Sequence, residues 1–261
     1  MSEAFFGAVL GALCEPDPAR KRERVGALQL PAPALFDAEA VVVPPGPLPG
    51  RPARPALVAP REVPSRGLGS REGRIALVHA VAHIEFNAIN LALDALQRFR
   101  GLPRDYYADW LGVAQDEARH FALLRERLQQ LGADYGDLPA HNGLWEAAEK
   151  TAHDGLLRMA LVPRVLEARG LDVTPGMIGR LREVGDADTV AILERILAEE
   201  VAHVAVGSRW FAWWCAQRGE NPRELWPRLL AAHGVRLRPP LNHPARVQAG
   251  FDATELHSAL D

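Results

Sequence analysis

Two Glu-x-x-His pairs interrupt apolar stripes that repeat with the period of an α-helix: Glu117 with His120, and Glu200 with His203. A Glu and a His three residues apart project from one face of a helix, so both side chains can reach one point inside a helical bundle. An ionised carboxylate in a dry apolar seam is very unfavourable unless a nearby cation offsets its charge. The pattern therefore predicts an all-α fold whose helices bind metal.

A single Glu on an apolar helical pattern precedes each pair along the chain, Glu85 before Glu117 and Glu167 before Glu200. The two steps are 32 and 33 residues long, which indicates two helical hairpins of nearly equal size. Each hairpin would supply two carboxylates and one imidazole to a pseudo-symmetric site for two metal ions. Carboxylate oxygens mixed with imidazole nitrogens suit iron or manganese, and zinc is a substitute for the same ligands.

Four long helices are predicted to carry these ligands, and glycine or proline punctuates their ends. Their expected bounds are Ser70 to Phe99, Pro103 to Gly132, Leu144 to Arg169 and Ala187 to Arg218. Within the third helix, Pro163 removes a backbone hydrogen bond one turn before Glu167 and predicts a kink where that carboxylate is presented. Two shorter helices are expected at Pro175 to Val184 and at Pro222 to Ala232.

The remainder of the chain is expected to surround the metal-binding helices. The N-terminal part should form one or two short helices and then an irregular segment, since ten prolines lie between Pro31 and Pro64. The C-terminal tail, rich in Pro and Arg, should be non-helical from Arg236 to Gly250. The expected organisation is an N-terminal segment that packs on the bundle, the four-helix bundle itself, and a C-terminal helix with its tail, at residues 1–69, 70–219 and 220–261.

The formal net charge of −3 gives no general attraction to nucleic acid or to an anionic membrane. The charge does not exclude tRNA as a substrate. No apolar run is long enough to span a membrane and no secretion signal is recognised, so no membrane partner is expected. The two cysteines, Cys14 and Cys215, cannot form a disulfide framework and fit a reducing cytoplasm. The sequence lacks a Gly-rich phosphate loop, a His-Glu-x-x-His motif and a nucleophile elbow, which excludes those enzyme classes.

Four residues close to the ligands in sequence are candidates for hydrogen bonds to them: His83, Asp116, Arg119 and Arg164. His83 forms a one-turn pair with His79, and the alternative for this pair is a polar stripe that faces solvent or the Pro-rich segment. If the predicted buried face of the fourth helix were shifted by one residue, Glu199 rather than Glu200 would face the core. Glu199, however, has no His three residues further on.

Three segments, AHIEFNAI, DEARHF and EEVAHV, resemble the metal-binding helices of the ferritin-like superfamily. With its Pro-rich N-terminal region and the tail PPLNHPARVQAGF, the chain is similar to a family of bacterial ferritin-like proteins. That family is distantly related to the di-iron monooxygenase that hydroxylates a modified adenosine in tRNA. The resemblance covers about Ser70 to Phe251 and implies a ferritin-like four-helix bundle with extra terminal helices. The di-iron ligands that it implies are Glu85, Glu117, His120, Glu167, Glu200 and His203.

The function expected from these residues is that of a non-haem di-iron oxidoreductase that activates dioxygen, a hydroxylase or a related oxidase, with Glu117 and Glu200 as bridging carboxylates. Its reactants would be dioxygen and an unidentified substrate, and a reductase would supply electrons. The resemblance does not carry over the tRNA substrate, because one fold and metal site serve many unrelated activities. The alternatives are a ferritin-type iron-oxidising protein without an organic substrate and a metal-stabilised scaffold. The sequence does not indicate an oligomeric state.

Overall fold

The computed structural model describes residues 2–258, and every regular element within that span is a helix. This finding confirms the predicted all-α class. The α-helices are α1 (Ser2–Leu13), α2 (Pro18–Gly26), α3 (Arg71–Arg98), α4 (Arg104–Gln130), α5 (Gly143–Lys150), α6 (Gly155–Leu161), α7 (Ala168–Glu183), α8 (Ala187–Gln217), α9 (Pro222–Ala232), α10 (His243–Gln248) and α11 (Ala253–Ser258). A π-helical segment, Val162–Glu167, lies between α6 and α7.

Three of the four predicted long helices form as expected: α3, α4 and α8 lie within two residues of their predicted bounds. Local capping explains where two of them, α3 and α8, begin. The Ser70 hydroxyl accepts a hydrogen bond from the N–H of Gly73 at 3.0 Å and starts α3, while the Asp186 carboxylate accepts one from Thr189 at 3.1 Å and starts α8. Gly132 follows α4 with a φ of +77°, the left-handed conformation that ends many helices. The predicted helix Pro222 to Ala232 is also confirmed, as α9.

The predicted third helix, Leu144 to Arg169, is wrong as a single element. The chain there forms α5, α6 and the π-helical segment, and α7 then continues through Gly170 rather than ending before it. The break before α6 arises because Asp154 starts a new helix, its carboxylate accepting a hydrogen bond from the N–H of Leu156 at 2.8 Å. The disruption expected at Pro163 takes the form of the π-helical segment.

Asn242 accounts for two further differences from the sequence-based expectation. The residues predicted as a separate helix, Pro175 to Val184, lie mostly in the second half of α7, with Pro175 inside it. Pro175 has no N–H to donate to the carbonyl of Leu171, and the Asn242 amide donates to that oxygen instead, at 3.1 Å. The predicted non-helical tail, Arg236 to Gly250, contains the short helix α10, and the Asn242 side chain caps its first turn.

The chain divides into two compact units, Met1–Trp145 and Glu146–Asp261. In the first unit α3 and α4 pack together as a hairpin, α1 packs on α3, and α2 packs on α4. The Pro-rich stretch between Pro31 and Pro64 contains only two single-turn 3-10 helices, as predicted. In the second unit α8 packs against α6, the π-helical segment and α7. The three-part organisation at residues 1–69, 70–219 and 220–261 stays a prediction.

Lys21 attaches α2 to its neighbours in the first unit and is fully buried. Its Nζ donates hydrogen bonds to the carbonyl of Leu13 at 2.9 Å and to Asn90 Oδ1 at 2.6 Å, and it lies 5.4 Å from the ring centre of Phe86. Burial lowers the pKa of Lys21 from 10.5 to about 7, against the opposing charge effects of Cys14 and Glu15. The ammonium is therefore costly to bury at neutral pH.

This pKa predicts a stability that depends on pH. Between pH 7 and 10.5 the unfolded chain keeps a proton on Lys21 that the folded protein has released, so the free energy of unfolding should rise with pH across that window. Lys21→Met should abolish this rise, which amounts to roughly 1–3 kcal/mol, because methionine has no group that titrates. Urea unfolding of both proteins at several pH values measures the difference. Parallel pH profiles for the two proteins would contradict the prediction.

Among the described residues, one helix, α3, is long and apolar enough by length and composition to cross a membrane. Of its most apolar window, 72% is buried inside the protein, and the core helix of a globular protein passes the same test. Its side chains Asn90 and Asp94 are fully buried, and Asp94 forms an ion pair with Arg98 at 2.7 Å. These polar contacts are those of a helix packed inside a protein.

Candidate metal centre

The first unit places three of the predicted ligands side by side. Glu85 lies on α3, and Glu117 and His120 lie one turn apart on α4. His120 Nδ1 is 3.2 Å from Glu85 Oε2 and 3.6 Å from Glu117 Oε2. The three residues are 5%, 2% and 0% exposed, so the burial predicted from the apolar stripes is confirmed. Within this hairpin the Glu and His side chains face one another as the helical spacing predicts.

Apolar packing beside these ligands holds the hairpin together. The rings of Phe86 and Phe121, each adjacent in sequence to a ligand, lie with centres 5.4 Å apart. Both phenylalanines are almost completely buried. The hydrophobic core of α3 and α4 therefore fixes the helix faces that carry Glu85 and His120.

The second unit presents the other Glu-x-x-His pair on α8. His203 Nδ1 lies 3.2 Å from Glu200 Oε1, and the two side chains are 3% and 13% exposed. The neighbouring Glu199 is 28% exposed and forms an ion pair with Arg195 at 3.2 Å. The helix phase is therefore the predicted one, with Glu200 on the inner face and Glu199 turned toward the surface.

Glu167 is the last residue of the π-helical segment and is half-buried. This segment lies very close to α8, since a Cβ atom at position 207 would be 2.3 Å from the Cβ of Pro163. Gly207, one turn after His203, is thus required by the close approach of the two backbones. In this way the segment that carries Glu167 is packed against the helix that carries His203.

The residues that could hold a metal ion include a Glu-x-x-His pair in each unit, Glu117 with His120 in the first and Glu200 with His203 in the second. Three of the four are buried, and Glu200 is partly buried. Carboxylates and imidazoles are donors that suit a transition metal, and a cation beside them would offset the charge of desolvated carboxylates. The residues present therefore fit a metal ion.

His83 has hydrogen-bond partners that the sequence did not indicate. Its Nδ1 lies 3.0 Å from the hydroxyl of Tyr135, and its Nε2 lies 3.0 Å from the carbonyl oxygen of His141. Burial lowers the pKa of His83 to about 4, so the ring is neutral at physiological pH. The solvent-facing alternative for His79 and His83 is wrong, because the two residues are 1% and 6% exposed. Tyr135 and His141 lie in loops, where no periodic pattern points to them.

The three other neighbour candidates also make identifiable contacts. Asp116 and Arg119 form an ion pair with each other on α4 and are partly exposed. Arg164, in the π-helical segment, is buried and forms an ion pair with Glu255 of α11. Its guanidinium also lies 4.3 Å from the ring centre of Phe251. Arg164 thus ties the π-helical segment to the C-terminal part of the second unit.

Fold and site together define an all-helical protein with a buried Glu/His group that could hold a metal ion. The chain belongs to the family described as "Protein of unknown function (DUF455)", whose model matches residues 14–257. It is 46% identical over 213 residues to an "Uncharacterized protein" of Haemophilus influenzae, an alignment that covers 78% of this chain and 74% of the relative. No solved structure matches the chain.

Proposed function

We propose that the protein is a non-haem di-iron oxidoreductase of the ferritin-like class, which uses dioxygen to hydroxylate or oxidise an unidentified substrate. The observation that carries this proposal is the buried set of Glu85, Glu117 and His120 in the first unit, where His120 Nδ1 lies 3.2 Å from Glu85 Oε2 and 3.6 Å from Glu117 Oε2. The proposed ligands of two iron ions, or of two manganese ions in their place, are Glu85, Glu117, His120, Glu167, Glu200 and His203.

In this proposal the Glu-x-x-His pairs have matching roles. The carboxylates of Glu117 and Glu200 would hold the ions, together with His120 and His203, each of which would bind through a neutral imidazole. Glu85, 3.2 Å from the His120 ring, completes the ligands of the first unit. Bound iron would supply the redox chemistry for the reduction of dioxygen.

The chain's own part is to exclude water and to hold the ligands rigidly. His120 is fully buried and Glu117 nearly so, which keeps bulk solvent away from these donors. Glu167 stands at the end of a π-helical segment, an irregularity that is frequent at functional sites because it re-aims a side chain on a helix. Packing of Pro163 against Gly207 supports a fixed position for that segment.

Turnover would require electrons from a reductase in a reducing cytoplasm, and residues 70–219 would form the metal-binding bundle. A ferritin-type protein would oxidise iron without an organic substrate, and a scaffold would bind metal without reacting with dioxygen. The three functions differ in how the reduced, metal-loaded protein consumes dioxygen. Catalytic consumption that depends on a substrate supports the oxidoreductase, while a single stoichiometric turnover supports iron oxidation alone.

The proposal is tested first by the metal content of protein purified from iron-supplemented cells. Mass spectrometry should find about two irons per chain, and Mössbauer spectra should show that the two irons are magnetically coupled. Dioxygen consumption after reduction then separates the redox functions from the scaffold. Protein that is metal-free as purified and takes up neither iron nor manganese on reconstitution would overturn the proposal.

A further inference from the structure

The second unit contains a cavity of about 370 Å³ lined by arginines that the metal centre does not use. Arg169 and Asp172 of α7 and Arg246 of α10 lie on its wall, together with Arg236 and Arg238 from the segment between α9 and α10. We propose that this cavity binds the phosphate group of a small-molecule ligand. The proposal goes beyond the metal site and does not depend on it.

Arg246 is the feature that points most directly to an anion. The residue is 1% exposed, and its Nε and Nη2 donate to the two carboxylate oxygens of Asp172 at 2.9 and 2.7 Å. Its third nitrogen, Nη1, is buried and has no hydrogen-bond partner among residues 2–258. A buried cationic donor without an acceptor is costly, and the charge of Arg246 favours an anion in the adjoining cavity.

The charge around the cavity also favours an anion. Asp172 is the one acidic residue on its described wall, and the Arg246 fork engages both of its oxygens. Arg236 and Arg238 are exposed, so their guanidinium groups are free to turn toward a ligand. Arg169 instead donates to the carbonyl oxygens of Arg238 and Pro240 and holds this segment in place. Several arginines on the wall of one cavity match the multiple oxygens and double charge of a phosphate better than a single carboxylate.

The size of the cavity limits the ligand to a small molecule. A volume of about 370 Å³ lies at the lower end of the range for small-molecule sites. Val165, Leu166 and Leu237 contribute apolar surface to the same cavity, which suits an organic moiety attached to the phosphate. The expected ligand is therefore a phosphorylated small metabolite, held by the arginines through its phosphate.

Isothermal titration calorimetry of the full-length, metal-loaded protein with inorganic phosphate tests the proposal, at an ionic strength held constant with chloride. The wild-type protein should bind phosphate, and the double variant Arg236→Gln/Arg238→Gln should bind it at least about tenfold more weakly. Both substitutions are at exposed positions, so the variant should fold normally. Arg228→Gln is the matched control, because Arg228 is an exposed arginine of α9 outside the cavity and its loss should change affinity less than about twofold.

Three outcomes would overturn the proposal. The first is wild-type protein that gives no more heat with phosphate than with chloride, and the second is a control variant that loses as much affinity as the double variant. The third is a single-stranded oligoribonucleotide that binds while inorganic phosphate does not, which would indicate attraction of a polyanion. Metal content is measured on every sample. Phosphate that binds to iron would give heat that the arginine variants leave unchanged, which distinguishes it from phosphate bound in the cavity. Failure of the metal site would therefore be seen separately from failure of the anion site.

Discussion

Replacing Glu200 by Gln is expected to remove most of the metal from the protein, whereas replacing Glu199 by Gln should leave it bound. Glu200 lies on the inner face of α8, where its Oε1 is 3.2 Å from His203 Nδ1, and Glu199 forms a surface ion pair with Arg195. Gln keeps the size of the side chain but removes the negative charge that a metal ion requires. Loss of a hydrogen-bond partner of a metal ligand already lowers metal affinity about 10–100-fold. Loss of the ligand itself should therefore lower the affinity about 100-fold or more.

The two variants form a matched pair, because each removes one negative charge from adjacent positions of α8. Metal content by mass spectrometry, measured beside circular dichroism, separates ligation from folding. Equal loss of metal in both variants would show that the effect comes from the stability of α8. Full retention in both would show that Glu200 is not a ligand, and Glu117→Gln would then test the other hairpin in the same way.

Removing Asp172 is expected to destabilise the protein by about 3–5 kcal/mol. Asp172 and Arg246 are both almost completely buried, and their two hydrogen bonds join α7 to α10. In Asp172→Ala the guanidinium would remain inside the protein without its counter-charge, which costs much more than the ion pair contributes when both partners are present. Urea unfolding followed by circular dichroism measures the loss.

An exposed ion pair of the same unit provides the control. Arg182 and Glu194 form a salt bridge in which both side chains are about half exposed, and Glu194→Ala should change the free energy of unfolding by less than about 1 kcal/mol. The double variant Asp172→Ala/Arg246→Met should recover part of the loss, since it leaves no unpaired buried charge. A single variant at Asp172 that is no less stable than the Glu194 variant would contradict the buried-pair interpretation.

The sequence correctly predicted the helices that carry five of the six proposed ligands. Apolar residues recur along α3, α4 and α8 with the helical period, and this period fixes which face is buried. Glu85, Glu117 and His120 were therefore expected in the core, and all three are found there. Capping residues such as Ser70 set the helix starts within one or two residues, because caps act on the first turn next to them.

The region around Glu167 was predicted less well, because its conformation depends on distant partners. Pro175 can lie inside α7 since Asn242, 71 residues from Leu171, donates to the carbonyl that Pro175 leaves without a backbone partner. Arg164 was expected near the metal ligands, and it is instead paired with Glu255, 91 residues away. His83 is held by Tyr135 and by the carbonyl of His141, both in a loop more than 50 residues further on.

The all-α class is already specified by the amino-acid sequence, as are the buried faces of α3, α4 and α8 and the burial of their Glu and His side chains. This is possible because helical periodicity is a local property that a run of about ten residues already expresses. Contacts between residues far apart in the sequence set how Pro175 is accommodated and which partners Arg164 and His83 take. The arginine cavity likewise exists only in the folded chain, because residues 169 and 246 meet there through packing that no local pattern encodes.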